Sequence, residues 1–357
     1  MVAGNESQHP PPPKRVTTAE IAKEAGVSVP TVSRVLNGQA YVAANTRERV
    51  ERLLALRGYQ RRGHPGRAVR LVDLVFNDLD SPWAVEIIRG VEGVLHAAGV
   101  GCVVSAIHDH ADSARQWLAS VGERGCDAVI LVTSDLQPEV RRDLRQLDVP
   151  MVIVDPTGSP QGASPTIGAT NWAGGFSATE HLLTLGHRRI GLIAGPPRLL
   201  CSRARTDGYR SALEAAGVTG DPQLIREGTF YHESGFVRGL ELIALPQPPT
   251  AIFACSDQMA FGLFEALRQS SLRVGADVSV VGFDDLPEAR WSSPPLTTVR
   301  QPLADMGATA ASTALRLIDH ETLTIPRIEL ATELVVREST APPPSQPRRR
   351  SRTAGRP

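Results

Sequence analysis

The chain has 357 residues, 41% of them apolar and 21% charged, a composition that predicts apolar cores and a length that allows two or three folded units. No run approaches the roughly 18 apolar residues of a membrane span, and no basic start precedes an apolar segment, so we expect neither a membrane protein nor an exported one, and a cytoplasmic location. The net charge is zero, yet residues 14–70 carry 12 Lys and Arg against 4 Asp and Glu, whereas residues 71–340 carry 21 against 33. A basic module joined to an acidic body favours a polyanion as partner of the first part, with chance clustering as the alternative.

Five segments are predicted from composition and periodicity. Residues 1–13 and 341–357 are rich in Pro, Ser or Arg and lack apolar periodicity, so both ends are predicted to be disordered. Between them we predict a small helical domain over 14–60, a short hinge or linker over 61–70 and a larger domain over 71–340.

The first domain is predicted to contain three short helices. The capping box at Thr17 predicts a helix that starts near Thr18, and Gly26 provides a left-handed stop. Ser28 is expected to cap a second helix, whose first turn tolerates Pro30 because the missing N–H is unpaired there. Two such helices separated by a tight turn have the spacing of a helix-turn-helix, whose second helix enters the major groove of DNA.

The second helix carries the side chains that we expect to contact double-stranded DNA. Its exposed positions are predicted to point at base edges, while neighbouring hydroxyls and amides reach phosphates. The base-facing candidates are Val29, Pro30, Ser33 and Arg34, and the other DNA-binding candidates of this domain are Thr17, Ser28, Thr31 and Asn37. The alternative is an amphipathic helix pair without a DNA partner.

The stretch AKEAGVSVPTVSRVLN, followed by TRERV, resembles the N-terminal motif of the lactose-repressor (LacI/GalR) family. The resemblance extends from about Val16 to Thr340. It implies a transcriptional regulator, a repressor of sugar-utilisation genes, that binds a pseudo-palindromic operator as a homodimer. It also implies that Arg34 contacts a guanine edge, and that Val29 and Pro30 set the operator preference.

From residue 71 onward, short apolar runs alternate with amphipathic helices. The predicted strands are LVDLVF, CVVSAI, DAVILVT, PMVIVD, RIGLIAG, TAIFAC and SVVGFD. Such alternation predicts parallel βαβ units. The segments 90–100 and 208–218 share their length, their glycines and an apolar stripe, which indicates two similar α/β subdomains. A cleft between two such subdomains is the expected place for a small ligand.

The family resemblance implies that this body is similar to a periplasmic binding protein that senses a small sugar. Sugar hydroxyls need planar donors and acceptors, and the ring needs an aromatic wall. The resemblance implies that Arg205 and Asp257 grip the hydroxyls and that Phe230 stacks on the ring. The other ligand-binding candidates are Asp78, Asp80, Trp83, Asp155, Asn171 and Gln301.

Several of these residues have a structural alternative. Arg205 could pair with acidic neighbours on a surface helix, and Asp257 could cap the helix that follows it. Trp83 could staple a helix start to the core. In the stretch GFDD, Asp284 and Asp285 look like a paired-carboxylate site, but the resemblance implies a structural turn.

No catalytic residues are predicted, because the sequence lacks the phosphate-binding, nucleophile-elbow and dinucleotide glycine motifs. His108-Asp109-His110 has too few neighbouring ligands for a metal site, so we expect no metal and no cofactor. The four cysteines lie far apart, and we predict no disulfide framework. The alternative function is a sugar-binding or sugar-transforming protein without a role on DNA.

The linker departs from the family pattern. After Tyr59 the family continues P-N-x-x-A-x-x-L, a hinge helix whose leucine enters the minor groove, whereas this chain reads QRRGHPGRAVR. Its glycines and proline oppose a helix, and Leu71 is expected to belong already to the first strand. We expect Arg61 and Arg62 to contact phosphates or a narrow minor groove instead, with a solvated linker as the alternative.

Overall fold

The computed structural model describes residues 18–36, 42–57, 70–108, 111–132, 142–144, 149–156, 164–323 and 327–344. The chain divides into two compact units, one up to Ala68 and one from Val69 onward. The predicted fold class is confirmed: a small all-α unit precedes a body of two similar parallel-sheet subdomains.

The first unit consists of three helices, α1 (Thr18–Ala25), α2 (Val29–Leu36) and α3 (Ala44–Leu56). Gly26 follows α1 with φ +63°, the left-handed conformation that ends the helix and turns the chain. Ser28 caps α2, since its Oγ accepts a hydrogen bond from the Thr31 N–H at 3.3 Å. The predicted helix-turn-helix is therefore present.

One apolar side of each helix forms the core of this unit. The buried residues are Ile21, Ala22, Ala25, Val32, Val35 and Val50. The Arg57 guanidinium donates to both carboxylate oxygens of Glu24, at 3.1 and 3.0 Å, and so links the end of α3 to α1. Both partners are partly exposed, so this pair stabilises the unit less than the burial of the core does.

The N-terminal subdomain of the body contains a six-stranded parallel sheet. Its strands, in the order β11-β5-β4-β3-β1-β2, have the following bounds. They are β1 (Leu71–Phe76), β2 (Gly101–Ala106), β3 (Ala128–Val132), β4 (Met151–Val154), β5 (Thr166–Ala169) and β11 (Arg327–Leu330). Helices α4 (Pro82–Ala97) and α11 (Leu303–Ile318) cover one face, and α5 (Ala111–Arg124) packs on the other.

The C-terminal subdomain repeats this plan. Its sheet has the order β12-β10-β9-β8-β6-β7, and only β12 is antiparallel to its neighbour. The strands are β6 (Ile190–Ala194), β7 (Ile225–Glu227), β8 (Ala251–Ala254), β9 (Ser279–Asp284), β10 (Thr297–Arg300) and β12 (Glu333–Val335). The helices are α6 (Asn171–Thr184), α7 (Leu200–Ala215), α8 (His232–Ile243), α9 (Asp257–Gln269) and the short α10 (Glu288–Trp291).

The predicted duplication is visible in both strand order and helix ends. The strands β1 to β5 occupy the positions that β6 to β10 occupy in the second sheet. Helices α4 and α7 end alike, because Gly99 and Gly217 both have φ +67°. The residues that follow these glycines, Val100 and Val218, each donate a backbone hydrogen bond of 2.9 Å into the last turn.

The chain passes between the subdomains three times, after β5, after β10 and after β11. Two of these crossovers are joined, since Thr332 N–H donates to Thr170 Oγ1 at 2.9 Å. Arg300 at the end of β10 pairs with Glu333, which follows the crossover after β11. The three crossovers therefore lie on one side and leave a cleft, on which the carboxyl ends of the parallel strands open.

All seven predicted strands are present, and β1 begins at Leu71 as expected. The strands that were not predicted are short: β5, β7, β10, β11 and β12. The body also extends past the predicted boundary at residue 340, because Ala341 donates its N–H to Ser279 Oγ at 3.0 Å and accepts from His187 Nε2 at 2.9 Å. The linker residues 61–69 lie outside the described residues.

Candidate functional site

The first unit presents α2 as its candidate DNA-binding surface. Val29 is 45% exposed, and the Arg34 side chain is exposed without a bonded acceptor among the described residues. Thr31 is half-buried, and its hydroxyl pairs with that of Ser28 at 2.8 Å. An unpaired guanidinium on an exposed helix face can make the planar, two-pronged contact that a guanine edge accepts.

The remaining DNA-binding predictions fall where the structure gives no side chain. Thr17, Asn37, Arg61 and Arg62 lie outside the described residues, and for Pro30 and Ser33 only the helical backbone is described. These six residues stay predictions from the sequence.

Between the two subdomains of the body lies a cavity of about 200 Å³, which we call the cleft cavity. Most of its polar lining comes from residues that follow β1, β4, β8 and β9 or belong to the first turns of α7. The polar and aromatic lining comprises Phe76, Asn77, Asp78, Ser81, Trp83, Asp155, Arg198, Cys201, Arg205, Thr229, Phe230, Tyr231, Ser256, Gln258 and Asp284. The volume fits a small molecule rather than a macromolecule.

Arg205 is the central cation of the cleft cavity and is only 3% exposed. Its Nε donates to Asn171 Oδ1 at 2.8 Å, and its Nη1 donates to the Cys255 carbonyl at 2.6 Å. The guanidinium carbon lies 3.7 Å from the ring centroid of Phe283. Among the described residues none accepts from Nη2, so its two N–H donors remain for a ligand.

Asp284 faces Arg205 from the end of β9, with 3.8 Å between Oδ1 and Nη1. Gln301 holds the same oxygen by donating from Nε2 at 2.6 Å. Burial raises the pKa of Asp284 to about 6, although the charge of Arg205 opposes this shift. The expectation of a mainly structural turn at GFDD therefore needs correction at Asp284, which lines the cavity. Gln301 holds the Asp284 carboxylate but does not itself line the cavity.

Asp155 lies on the opposite wall at the end of β4, where it contacts the Cys201 thiol. Burial raises the pKa of Asp155, and the nearby Arg205 lowers it by a smaller amount. Asp155, Phe230 and Asp284 have φ of +52°, +73° and +120°. Residues other than glycine rarely adopt such backbone angles. The residues that do adopt them concentrate at functional sites, where the surrounding structure compensates for the strain.

Aromatic rings close the cavity on both sides. Phe230 lies with its ring centroid 5.5 Å from the Arg205 guanidinium carbon, and Trp83 lines the wall formed by the first turn of α4. The backbone N–H of Trp83 donates to Oγ of the cap residue Ser81 at 3.2 Å, so Trp83 lies in the first turn of α4 while its side chain lines the cavity. Apolar ring faces of a sugar can pack on such walls.

The loop after β1 reaches across the cleft. Tyr231 donates its hydroxyl to Asp78 Oδ2 at 2.6 Å, and Gln258 Nε2 donates to Ser81 Oγ at 3.4 Å. Both bonds join the N-terminal subdomain to the C-terminal one. Asp80 is exposed and lies outside the cavity lining, with its N–H donating to Asp78.

The structure does not bring Asp257 to the cavity. Its carboxylate is fully buried and turned under the cleft, where it accepts from the Leu286 N–H at 2.8 Å and from the Thr298 hydroxyl. It is also not the helix cap, because Ser256 Oγ caps α9 by accepting from Met259 N–H. The residue of that turn that lines the cavity is Ser256.

Asn171 is 8% exposed and supports Arg205 from behind rather than lining the cleft cavity. The lining residues that were not predicted from the sequence include Asn77, Arg198, Thr229, Tyr231, Ser256 and Gln258. A signal existed for two of them, since Asn77 directly follows β1 and Ser256 directly follows the TAIFAC strand. Arg198 and Tyr231 belong to loops whose conformation the sequence pattern does not specify.

Within the part of the chain that the structure describes, no group of three His, Cys, Asp or Glu side chains is placed to hold a metal ion. Asp109 and His110 of the histidine cluster lie outside that part. The described helices are all too short or too polar to cross a membrane.

Comparison with known proteins agrees with this geometry. Residues 17–62 match the family of bacterial regulatory proteins of the lacI type, and residues 179–340 match the periplasmic binding protein-like domain. The chain belongs to the LacI family. It is a DNA-binding transcriptional repressor whose action is regulated by a small-molecule effector.

Three LacI-family proteins illustrate the similarity. The transcriptional repressor PurR of Haemophilus influenzae is 30% identical over 331 residues, 90% of this chain and 98% of its own. The transcriptional regulator CelR in complex with cellobiose is 34% identical, with a TM-score of 0.71, and the match covers 91% of this chain and 100% of that one. The Lac repressor dimer bound to operator and an anti-inducer is 30% identical, with a TM-score of 0.69, over 92% and 100% of the two chains.

Proposed function

We propose that this protein represses sugar-utilisation genes as a cytoplasmic homodimer that binds a pseudo-palindromic operator. Its affinity for the operator decreases or increases when a neutral carbohydrate occupies the cleft cavity. Residues 14–60 bind the operator, residues 61–70 form the linker, and the body that begins at residue 71 senses the sugar. The similarity to the Lac repressor dimer on its operator supports two DNA-binding units, since a two-fold operator needs two heads.

The observation that carries the sugar assignment is the arrangement around Arg205. Its guanidinium is fixed on three sides and keeps the Nη2 donors for a ligand, while Asp284 and Asp155 provide acceptors on two walls. Vicinal hydroxyls need such donor and acceptor pairs, and the rings of Trp83 and Phe230 suit the apolar face of the sugar. The similarity to CelR with cellobiose supports the same class of effector.

The charge of the lining argues against a phosphorylated effector. Three carboxylates line the cleft cavity against two guanidinium groups, those of Arg198 and Arg205. A phosphate monoester brings up to two negative charges, which the carboxylates of Asp78, Asp155 and Asp284 would repel. A thermal-shift screen should therefore show stabilisation by neutral sugars. Stabilisation confined to phosphorylated sugars, purines or amino acids would contradict the carbohydrate assignment.

The DNA assignment is tested by Arg34→Ala. Losing a two-pronged base contact should weaken binding to the operator by about 1–3 kcal/mol and leave sugar binding unchanged. Arg52→Ala is the matched control, because Arg52 is an exposed arginine on α3 that pairs with Glu48. Fluorescence anisotropy with DNA from the upstream region of the protein's own gene measures the operator affinity of both variants. Equal affinities of the two variants would show that Arg34 contributes only charge.

A further inference from the structure

A second cavity of about 370 Å³ lies beside the cleft cavity, and we call it the side chamber. It is lined by the end of β5, the first turns of α6 and α7, and β11. Asp155 and Cys201 line both the side chamber and the cleft cavity. The two spaces are therefore neighbours, with these two side chains at their common boundary.

Gly168 in β5 makes room for the side chamber. A Cβ built at this residue would meet no atom of the described residues within 4 Å, and the backbone has no left-handed angle that would require glycine. The adjacent Ile167 and Ala169 are buried against the core under the other face of the sheet. Since side chains alternate along a strand, Thr166 and Gly168 face the chamber together.

Thr166 presents an unpaired hydroxyl there. The side chain is 2% exposed, and its Oγ1 has no hydrogen-bond partner within the described chain. A buried hydroxyl without a partner is unfavourable, and such groups are rare in folded proteins. A hydroxyl of a bound ligand would satisfy it.

The rest of the lining includes an aromatic ring and a neutralised ion pair. Trp172 is 48% exposed and stacks on Phe176 with 5.4 Å between ring centroids, so one of its edges or faces is available at the chamber wall. Arg327 and Glu329 on β11 pair with each other and leave no net charge. An aromatic surface beside neutralised polar groups suits an uncharged polyol ring.

We propose that the side chamber is a subsite for a second sugar ring, so that the effector is a carbohydrate of at least two linked rings with the linkage beside Asp155 and Cys201. This rests on the proposed function. Gly168 determines the length of the effector, because any larger side chain there would occupy the space of the second ring.

The test is isothermal titration calorimetry of the full chain with glucose, cellobiose, xylose and xylobiose. We expect one disaccharide to bind at least tenfold more tightly than its own monosaccharide. Gly168→Phe should abolish that difference and leave the affinity for the monosaccharide unchanged, which also shows that the variant folds. Gly220→Phe is the matched control, since Gly220 is exposed, lines neither cavity and has no described atom near its Cβ position.

Thr166→Val separates binding from structure. Removing the unpaired hydroxyl should raise the melting temperature of the free protein, because an unsatisfied buried polar group is lost, and should lower the affinity for the disaccharide several-fold. A hydroxyl with a structural role only would leave the affinity unchanged.

The outcomes distinguish the second subsite from the proposed function on which it rests. Equal binding of monosaccharide and disaccharide by the wild type, or an unchanged preference in Gly168→Phe, overturns the second subsite and leaves the carbohydrate function standing. No binding of any of the four sugars counts against the proposed function itself and, with it, against the subsite.

Discussion

At the scale of single residues, two carboxylates that follow neighbouring strands have opposite roles. Asp284 ends β9 and faces Arg205 across the cavity, whereas Asp257 begins α9 and is satisfied by Leu286 and Thr298 beneath it. A sequence places both near the carboxyl edge of the sheet but does not give the direction of either side chain. The left-handed backbone at Asp284, which no pattern of residue types indicates, turns its carboxylate to the cleft.

The titration of Asp284 gives a prediction for effector binding. Burial raises its pKa to about 6, so the carboxylate accepts hydrogen bonds above that pH and loses its charge below it. Sugar affinity should therefore fall as the pH decreases through 6 in the wild type. In Asp284→Asn the affinity should be weaker at pH 7.5 and should lose the part of the pH dependence that is centred near 6. Calorimetry across this range measures both proteins.

The contribution of Asp284 to protein stability should depend on pH with the opposite sign to its effect on sugar affinity. The pKa of Asp284 is higher in the folded protein than the ordinary 3.8, so the folded state binds the proton more strongly and gains stability from this group as the pH falls from above 6 toward 4. Asp155 and Asp257 shift in the same direction and the buried His187 in the other. The quantity to compare is therefore the difference in free energy of unfolding between the wild type and Asp284→Asn, followed as a function of pH. A difference that does not change with pH would contradict this prediction.

At the scale of elements, three helix pairs of the body cross in the same way. Each of its closest helix pairs crosses at two glycines, where a Cβ on one helix would lie within 2.4 Å of a carbonyl oxygen on the other. The pairs are Gly90 with Gly307 for α4 and α11, Gly175 with Gly208 for α6 and α7, and Gly235 with Gly262 for α8 and α9. The second crossing holds the backbone of Arg205, so it fixes the position of the ligand-binding guanidinium.

Gly208→Ala should therefore weaken both fold and site. Its Cβ would lie 2.2 Å from the Trp172 carbonyl oxygen and 2.6 Å from the Phe176 nitrogen, which forces the helices apart. We expect a destabilisation of about 1–3 kcal/mol, as for other overpacked sites, and a lower sugar affinity. Chemical denaturation and calorimetry measure the two effects.

Gly93→Ala is the control for the same substitution in a helix. Gly93 is exposed on α4, and no described atom lies within 4 Å of its Cβ position. Alanine there should stabilise the protein by about 0.5–1 kcal/mol, because it restricts the unfolded chain and favours the helix. Equal effects of the two alanine variants would show that the crossing at Gly208 is not close-packed.

Sequence patterns predicted the elements that a periodic apolar run defines and failed on the short ones. The seven predicted strands include the fully buried β3, β6, β8 and β9, whose residues leave no alternative to a covered parallel sheet. In contrast, β11 and β12 have exposed or half-buried residues throughout, and their strand conformation comes from pairing with β5 and β10. Such tertiary pairing has no local signal.

At the scale of the whole body, the duplication provides the geometry for closure. Three crossovers lie on one side of the cleft, and two hydrogen bonds, from Tyr231 to Asp78 and from Gln258 to Ser81, join the subdomains at the cavity. Rotation about the crossovers would break these two bonds and open the cavity, in the manner of hinged ligand-binding proteins. The sequence predicted the two subdomains but not Tyr231, because the contact joins loops separated by more than 150 residues.

The Tyr231→Phe variant tests whether these bonds hold the closed cleft. The substitution keeps the aromatic wall and removes only the hydroxyl that donates to Asp78. Because a hydrogen bond to a partly exposed carboxylate contributes on the order of 1 kcal/mol, the dissociation rate of the effector should rise about fivefold, while the association rate stays close to that of the wild type. Stopped-flow fluorescence measures both rates. Since effector and operator binding are linked, the variant should need about fivefold more sugar to reach the same change in operator affinity, with the size of that change at saturation unaltered. A change in the saturating effect without a change in the dissociation rate would place the role of Tyr231 in the coupling between the sites rather than in closure.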